Sequence, residues 1–102
     1  MIELQILNAK SQKVLRTFAL DQEKELILGR GSDCDITINA KTVSREHLCI
    51  ESDGEDFKAT DLESTGGTFL YPNGKKVDEI SIEDGLQLKI GPAILKFIKP
   101  EF

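Results

Sequence analysis

This chain has few of the side chains that catalysis, metal binding or membrane attachment require. It contains one histidine, two cysteines and three arginines in 102 residues. Zinc takes about four ligands. Cys34, Cys49 and His47 fall short of that number and have no Cys-x-x-Cys spacing, so no metal site is expected. His47 stands two residues before Cys49, which puts both side chains on one face of a strand and makes a thiol–imidazole pair conceivable. Such a pair needs an exposed thiolate in an electropositive setting. Cys49 instead lies in step with the apolar Leu48 and Ile50, which predicts a buried thiol and no enzyme. No apolar run approaches the roughly 20 residues of a membrane span, and no lysine-rich amphipathic stretch is present, so no membrane role is expected. Two cysteines, with no charged-then-apolar segment over Met1 to Leu7, predict a reducing, cytoplasmic setting. The formal charge of −5 and pI near 4.8 argue against a nucleic-acid partner, which would select a basic footprint. Linkers, repeats and low-complexity tracts are also missing, so residues 1–102 are expected to form a single domain.

What the chain does have is strand periodicity. Apolar residues recur at every second position in Ile2, Leu4, Ile6; Leu26, Leu28; Ile36, Ile38; Leu48, Ile50; Leu86, Leu88, Ile90; and Leu95, Phe97. Turn signals separate them at Asp53-Gly54, Asn73-Gly74, Asp84-Gly85 and Gly91-Pro92. No segment carries a sustained helical stripe. The pattern predicts an all-β fold, an antiparallel β-sandwich of about eleven strands, with function on the loops of one rim.

Three turns between those strands share one chemistry. They are Gly29-Arg30, Ser44-Arg45-Glu46-His47 and Ser64-Thr65-Gly66-Gly67-Thr68. An arginine offers a planar fork of donors that suits phosphate oxygens, hydroxyls add to it, and glycines let the backbone come close. Two of the three arginines, Arg30 and Arg45, fall in these turns, and lysine cannot replace their bidentate geometry. The glycine pairs lack the spacing of either nucleotide fingerprint, so no nucleotide cofactor is expected.

The run from Gly29 to Ile38, then Val43-Ser44-Arg45-Glu46-His47-Leu48-Cys49-Ile50, then Asp61 through Leu70, resembles the forkhead-associated (FHA) domain in order and spacing. The resemblance implies a module of Ser/Thr kinase signalling that binds phosphothreonine proteins or peptides without turnover or cofactor. Carried onto this sequence, it implies that Arg30 and Ser44 contact the phosphate, that Arg45 and Thr65 lie beside it, and that position 66 holds the peptide backbone. Gly29 and His47 become structural supports, Gly29 for the strand-to-loop turn and His47 as a brace through its ring nitrogens.

Read from the residues alone, each position keeps a second reading. Arg30 either faces a ligand or pairs with Asp33 or Asp35; Ser44 either caps its turn or contacts phosphate, and one hydroxyl can do both. Arg45 and Lys41 at minimum add positive potential, and Thr65 is either a ligand or a plain turn residue. Gly66 departs from the family, which usually carries asparagine there. Loss of that amide removes one or two neutral hydrogen bonds of roughly 0.5–1.5 kcal/mol each, while charge-assisted phosphate bonds of about 1.5–3 kcal/mol remain. The expectation is binding about ten- to a hundredfold weaker than in a relative with the amide. A phosphate-independent scaffold is the alternative function. Tyr71-Pro72, in a loop longer than the family pattern, is either a reader of residues flanking the phosphothreonine or an ordinary hairpin tip.

Overall fold

A computed structural model describes residues 2–20, 24–54 and 56–99. Ten strands form in chain order: β1 (Ile2–Asn8), β2 (Val14–Leu20), β3 (Leu26–Gly29), β4 (Ile36–Thr37) and β5 (Leu48–Asp53), then β6 (Asp56–Asp61), β7 (Phe69–Leu70), β8 (Glu79–Ile82), β9 (Gln87–Ile90) and β10 (Ala93–Ile98). They make two five-stranded sheets, ordered β2-β1-β10-β9-β7 and β4-β3-β5-β6-β8. The sandwich matches the expected class, with ten strands against about eleven. No described helix is long and apolar enough to cross a membrane.

Period-two alternation becomes burial because each sheet turns one face inward. In the first sheet Leu4 stands opposite Phe97, and Ile6 opposite Leu95, which faces Leu88 on its other side. In the second, Leu28 faces Leu48, Ile50 faces Ala59, and Phe57 faces Ile82. All of these side chains are buried and belong to one continuous core.

Four strands lie outside the alternating runs: β2, β6, β8 and the two-residue β7. β2 has no apolar rhythm because it is an edge strand with most residues exposed. Backbone pairing with β1 holds it, after a turn in which Asn8 Oδ1 accepts the backbone N–H groups of Lys10 and Ser11. β6 and β8 offer only two inward positions each, Phe57 with Ala59 and Ile80 with Ile82, too few to stand out from polar neighbours. One pair also departs from the antiparallel expectation, since β3 and β4 run parallel. Residues 30–35 must therefore turn back on themselves between the two strands. Bonds from Cys34 N–H to the Gly31 carbonyl (3.1 Å) and Ile38 N–H to the Gly29 carbonyl (2.8 Å) close that turn.

Register brings the three notable loops together. Leu28 near the end of β3 pairs with Leu48 at the start of β5, and Leu48 pairs with Asp61 at the end of β6. The loops after β3, before β5 and after β6 thus leave from one end of three adjacent strands.

The core and the edge are expected to respond differently to truncation. Leu95→Ala, at a fully buried position, should destabilise by about 2–5 kcal/mol in urea unfolding. Leu15→Ala on β2, where Leu15 is 60% exposed, should stay within about 0.5 kcal/mol. Equal effects would mean that the core is not built as described.

Candidate functional site

Arg30 sits where β3 becomes loop. Its backbone N–H donates to the Ser44 carbonyl (2.9 Å), and Gly31 N–H donates to the Arg45 carbonyl (3.0 Å), so the first loop is laced to the second. Gly29 is needed for this approach. A β-carbon there would stand 2.1 Å from the Arg45 carbonyl oxygen, a distance no side chain can occupy. Cys34 adds another tie by donating its S–H to the same carbonyl at 2.9 Å. Burial, with the nearby carboxylates of Asp33, Glu46 and Asp35, raises this thiol above its ordinary value despite the opposing bond to Gly31.

Among the described residues, the Arg30 side chain is oriented at one atom, with Nε donating to the Val43 carbonyl at 3.0 Å. Among the described residues, no carboxylate lies within 4.0 Å of its guanidinium in an ion pair. Of the two suggested alternative partners, Asp35 is occupied elsewhere, where it accepts Ile27 N–H at 2.8 Å. The exposed guanidinium is therefore aimed by Nε while its terminal nitrogens remain available as a fork of donors.

Ser44 connects the second loop to the third. Its Oγ accepts the Thr65 backbone N–H at 2.9 Å, which leaves its own hydroxyl hydrogen free to donate. Its backbone N–H donates to Nδ1 of His47 at 3.1 Å. The other ring nitrogen, Nε2, lies 2.9 Å from the Gly67 carbonyl. Because Nδ1 accepts, the proton belongs on Nε2, and the neutral ring spans both loops. His47 is completely buried. With both nitrogens engaged it has no free lone pair for a metal or a general base. Cys49 is buried as well, and its thiol is pushed up to about 12, first by desolvation and then by the Glu25 carboxylate.

Asp61, which opens the third run of the resemblance but has no role assigned by it, organises the third loop. Its Oδ1 accepts Ser64 N–H at 2.8 Å, and Oδ2 accepts the hydroxyls of Ser64 and Thr68, each at 2.7 Å. Ser64 Oγ in turn accepts Gly67 N–H at 3.0 Å. The signal in the sequence was the Asp61-x-x-Ser64 spacing of a side-chain-closed turn. Burial alone would raise the Asp61 pKa, but the bonds from Ser64 and Thr68, with His47 nearby, outweigh it and lower the value.

The structure thus gathers Arg30, Ser44 and Thr65 at one rim, with Gly29 and His47 beneath them. Arg45 is exposed, and its carbonyl rather than its side chain does the local bonding. Gly66 is exposed next to Thr65, and a β-carbon there would meet the Thr42 carbonyl oxygen at 2.6 Å. Tyr71 lies on the neighbouring loop, where its hydroxyl accepts from Gln12 Nε2 at 3.2 Å.

An all-β sandwich that carries an arginine fork and hydroxyls on three laced loops is a binding-module architecture. The sequence pattern of the FHA domain matches residues 26–91, and the chain belongs to that family. The glycogen accumulation regulator GarA of Mycolicibacterium smegmatis is 36% identical over 81 residues, covering 79% of this chain and 49% of that protein. The FHA domain-containing protein FhaA of Mycobacterium tuberculosis is 38% identical over 76 residues, covering 74% of this chain and 14% of that protein. The chain therefore spans about half or less of the curated relatives named here. The FhaA FHA domain, solved in complex with the intracellular domain of another protein, superposes with a TM-score of 0.80 at 30% identity, covering 95% of this chain and 99% of that one. A domain solved in a study of phosphothreonine-dependent FHA interactions gives 0.82 at 31% identity, covering 99% and 98%.

The lowered Asp61 pKa has a consequence for acid stability. A carboxylate whose folded pKa lies below its unfolded value, near 3.8, stabilises the fold above that value and loses this contribution as pH falls through the folded pKa. In urea unfolding between pH 7 and pH 2, the stability gap between the native chain and Asp61→Asn should be constant near neutrality and narrow below about pH 3.8. A gap independent of pH would mean that the carboxylate charge does not hold the loop.

Proposed function

We propose that this domain, taken as a single unit over residues 1–102, is a phosphothreonine-dependent protein-interaction module without catalytic turnover, acting in the cytoplasm downstream of a Ser/Thr kinase. One observation carries the reading: the Arg30 guanidinium is aimed by Val43 yet has no carboxylate partner among the described residues, and its backbone is bonded to Ser44, whose hydroxyl has a hydrogen to donate. In this reading Arg30 and Ser44 hold the phosphate. Thr65 and Arg45 flank it, position 66 meets the peptide backbone, and Gly29 and His47 keep the loops in place. The similar domain solved in a study of phosphothreonine-dependent FHA interactions supports the same direction.

Matched threonine and phosphothreonine peptides titrated by calorimetry test it. The phosphorylated peptide should bind at least about tenfold more tightly, and Arg30→Ala should remove most of that difference, since charge-assisted bonds contribute about 1.5–3 kcal/mol each. Affinity should also fall with added salt. Equal affinity for both peptides would favour a phosphate-independent scaffold. For that alternative, edge strand β2 offers a surface, with Val14 51% and Leu15 60% exposed.

A further inference from the structure

The outer face of the second sheet carries a group of donors that the rim does not use. Leu48 and Ile50 of β5 belong to the core, so Cys49 and Glu51 point the other way. Leu26 pairs with Ile50, which sets Glu25, one residue before β3, beside Glu51, and Ile27 pairs with Cys49. The donor atoms of Glu25, Cys49 and Glu51 all lie within 4.8 Å of one another. A ligand count on cysteine and histidine alone leaves out these carboxylates, which strand register supplies.

Cys49 is the unusual member of the trio. It is only 6% exposed, although it stands on the outer face and outside the core cluster. Among the described residues, the one side chain that hydrogen-bonds its thiol is Glu25 of the same trio. The Cys34 thiol, by contrast, is spent on the Arg45 carbonyl. A buried sulfur is thus aimed at two carboxylates whose charge is poorly balanced. Lys58 stands 3.7 Å from Glu51 but is shared with Glu79 at 3.9 Å, and Glu25 has no ion pair among the described residues. A divalent cation there is attracted by both carboxylates and deprotonates the thiol on coordination.

The donor set also selects among cations. Oxygens alone would suit magnesium or calcium, whereas a thiolate shifts the preference to borderline and soft ions. Around tetrahedral zinc, with bonds of about 2.3 Å to sulfur and 2.0–2.2 Å to oxygen, donors stand roughly 3.5 Å apart. The trio needs to contract by little more than about 1 Å, within reach of an exposed Glu25 and a half-buried Glu51.

We propose that Glu25, Cys49 and Glu51 form a binding site for a divalent cation of the zinc class, with water in the fourth position, and that the ion ties β3 to β5. The tie lies below the rim, since β3 runs into Arg30 and β5 follows His47. Lys58 keeps Glu79 as its partner when Glu51 turns to the ion.

Cobalt(II) takes the same donors as zinc and shows a sulfur-to-metal charge-transfer band when a thiolate binds it, so it serves as the probe. One equivalent added to the native chain should produce the band, and zinc should abolish it. The band should survive Cys34→Ser and vanish in Cys49→Ser. Because Cys49 is buried, Glu25→Gln and Glu51→Gln give a second measurement on more accessible side chains. Each should weaken cobalt binding at least about tenfold, the low end of what losing even an outer partner of a metal ligand costs. Excess zinc should also raise the thermal unfolding midpoint of the native chain, and raise it less in Glu25→Gln. No band at millimolar cobalt, a band that persists in Cys49→Ser, or unchanged affinity in both glutamine variants would overturn the inference.

Discussion

The whole rim depends on one buried imidazole. His47 sits between two loops, with Nδ1 accepting from Ser44 N–H and Nε2 donating to the Gly67 carbonyl. Neither bond is unusual in strength, but the ring is fully buried, so losing either partner would strand a polar atom away from water. That penalty makes the arrangement exacting. The Ser44 backbone and the Gly66-Gly67 segment cannot move independently, and the Thr65 N–H bond to Ser44 Oγ closes the same circuit from the exposed side.

Around that circuit, side chains are used for position and backbone groups for connection. The Arg45 carbonyl accepts from Gly31 N–H and the Cys34 thiol, while its own guanidinium is exposed. Asp61 spends its carboxylate on Ser64 and Thr68. Asp35 likewise accepts Ile27 N–H, and Arg30 has no carboxylate partner among the described residues. In a chain of net charge −5, this arrangement leaves the exposed Arg30 and Arg45 side chains as local positive charge on an acidic domain.

Much of the site was legible because its residue types are restrictive. Arginine beside glycine at a strand end, and a serine three residues before the sole histidine, narrow the chemistry before any coordinates are known. Asp61 was not legible, because aspartate in a turn is common and only its three accepted bonds distinguish it. β2 was missed for the opposite reason: its exposed side chains carry no periodic signal, and neighbouring β1 holds it through backbone pairing. Gly66 was read from sequence as a missing amide. The structure adds that its lack of a β-carbon lets the 42 and 66 backbones meet beside a cleft.

The sequence by itself determined the all-β class, the inward face of most core strands and the three polar turns, because strand alternation and turn chemistry are local properties. Tertiary structure decided which turns meet and that Arg30 has no carboxylate partner among the described residues. Those outcomes follow from strand order and register, set when two sheets close over one shared core, and no local pattern encodes them. The row from Leu28 through Leu48 to Asp61 is the physical reason that three separate turns form one rim.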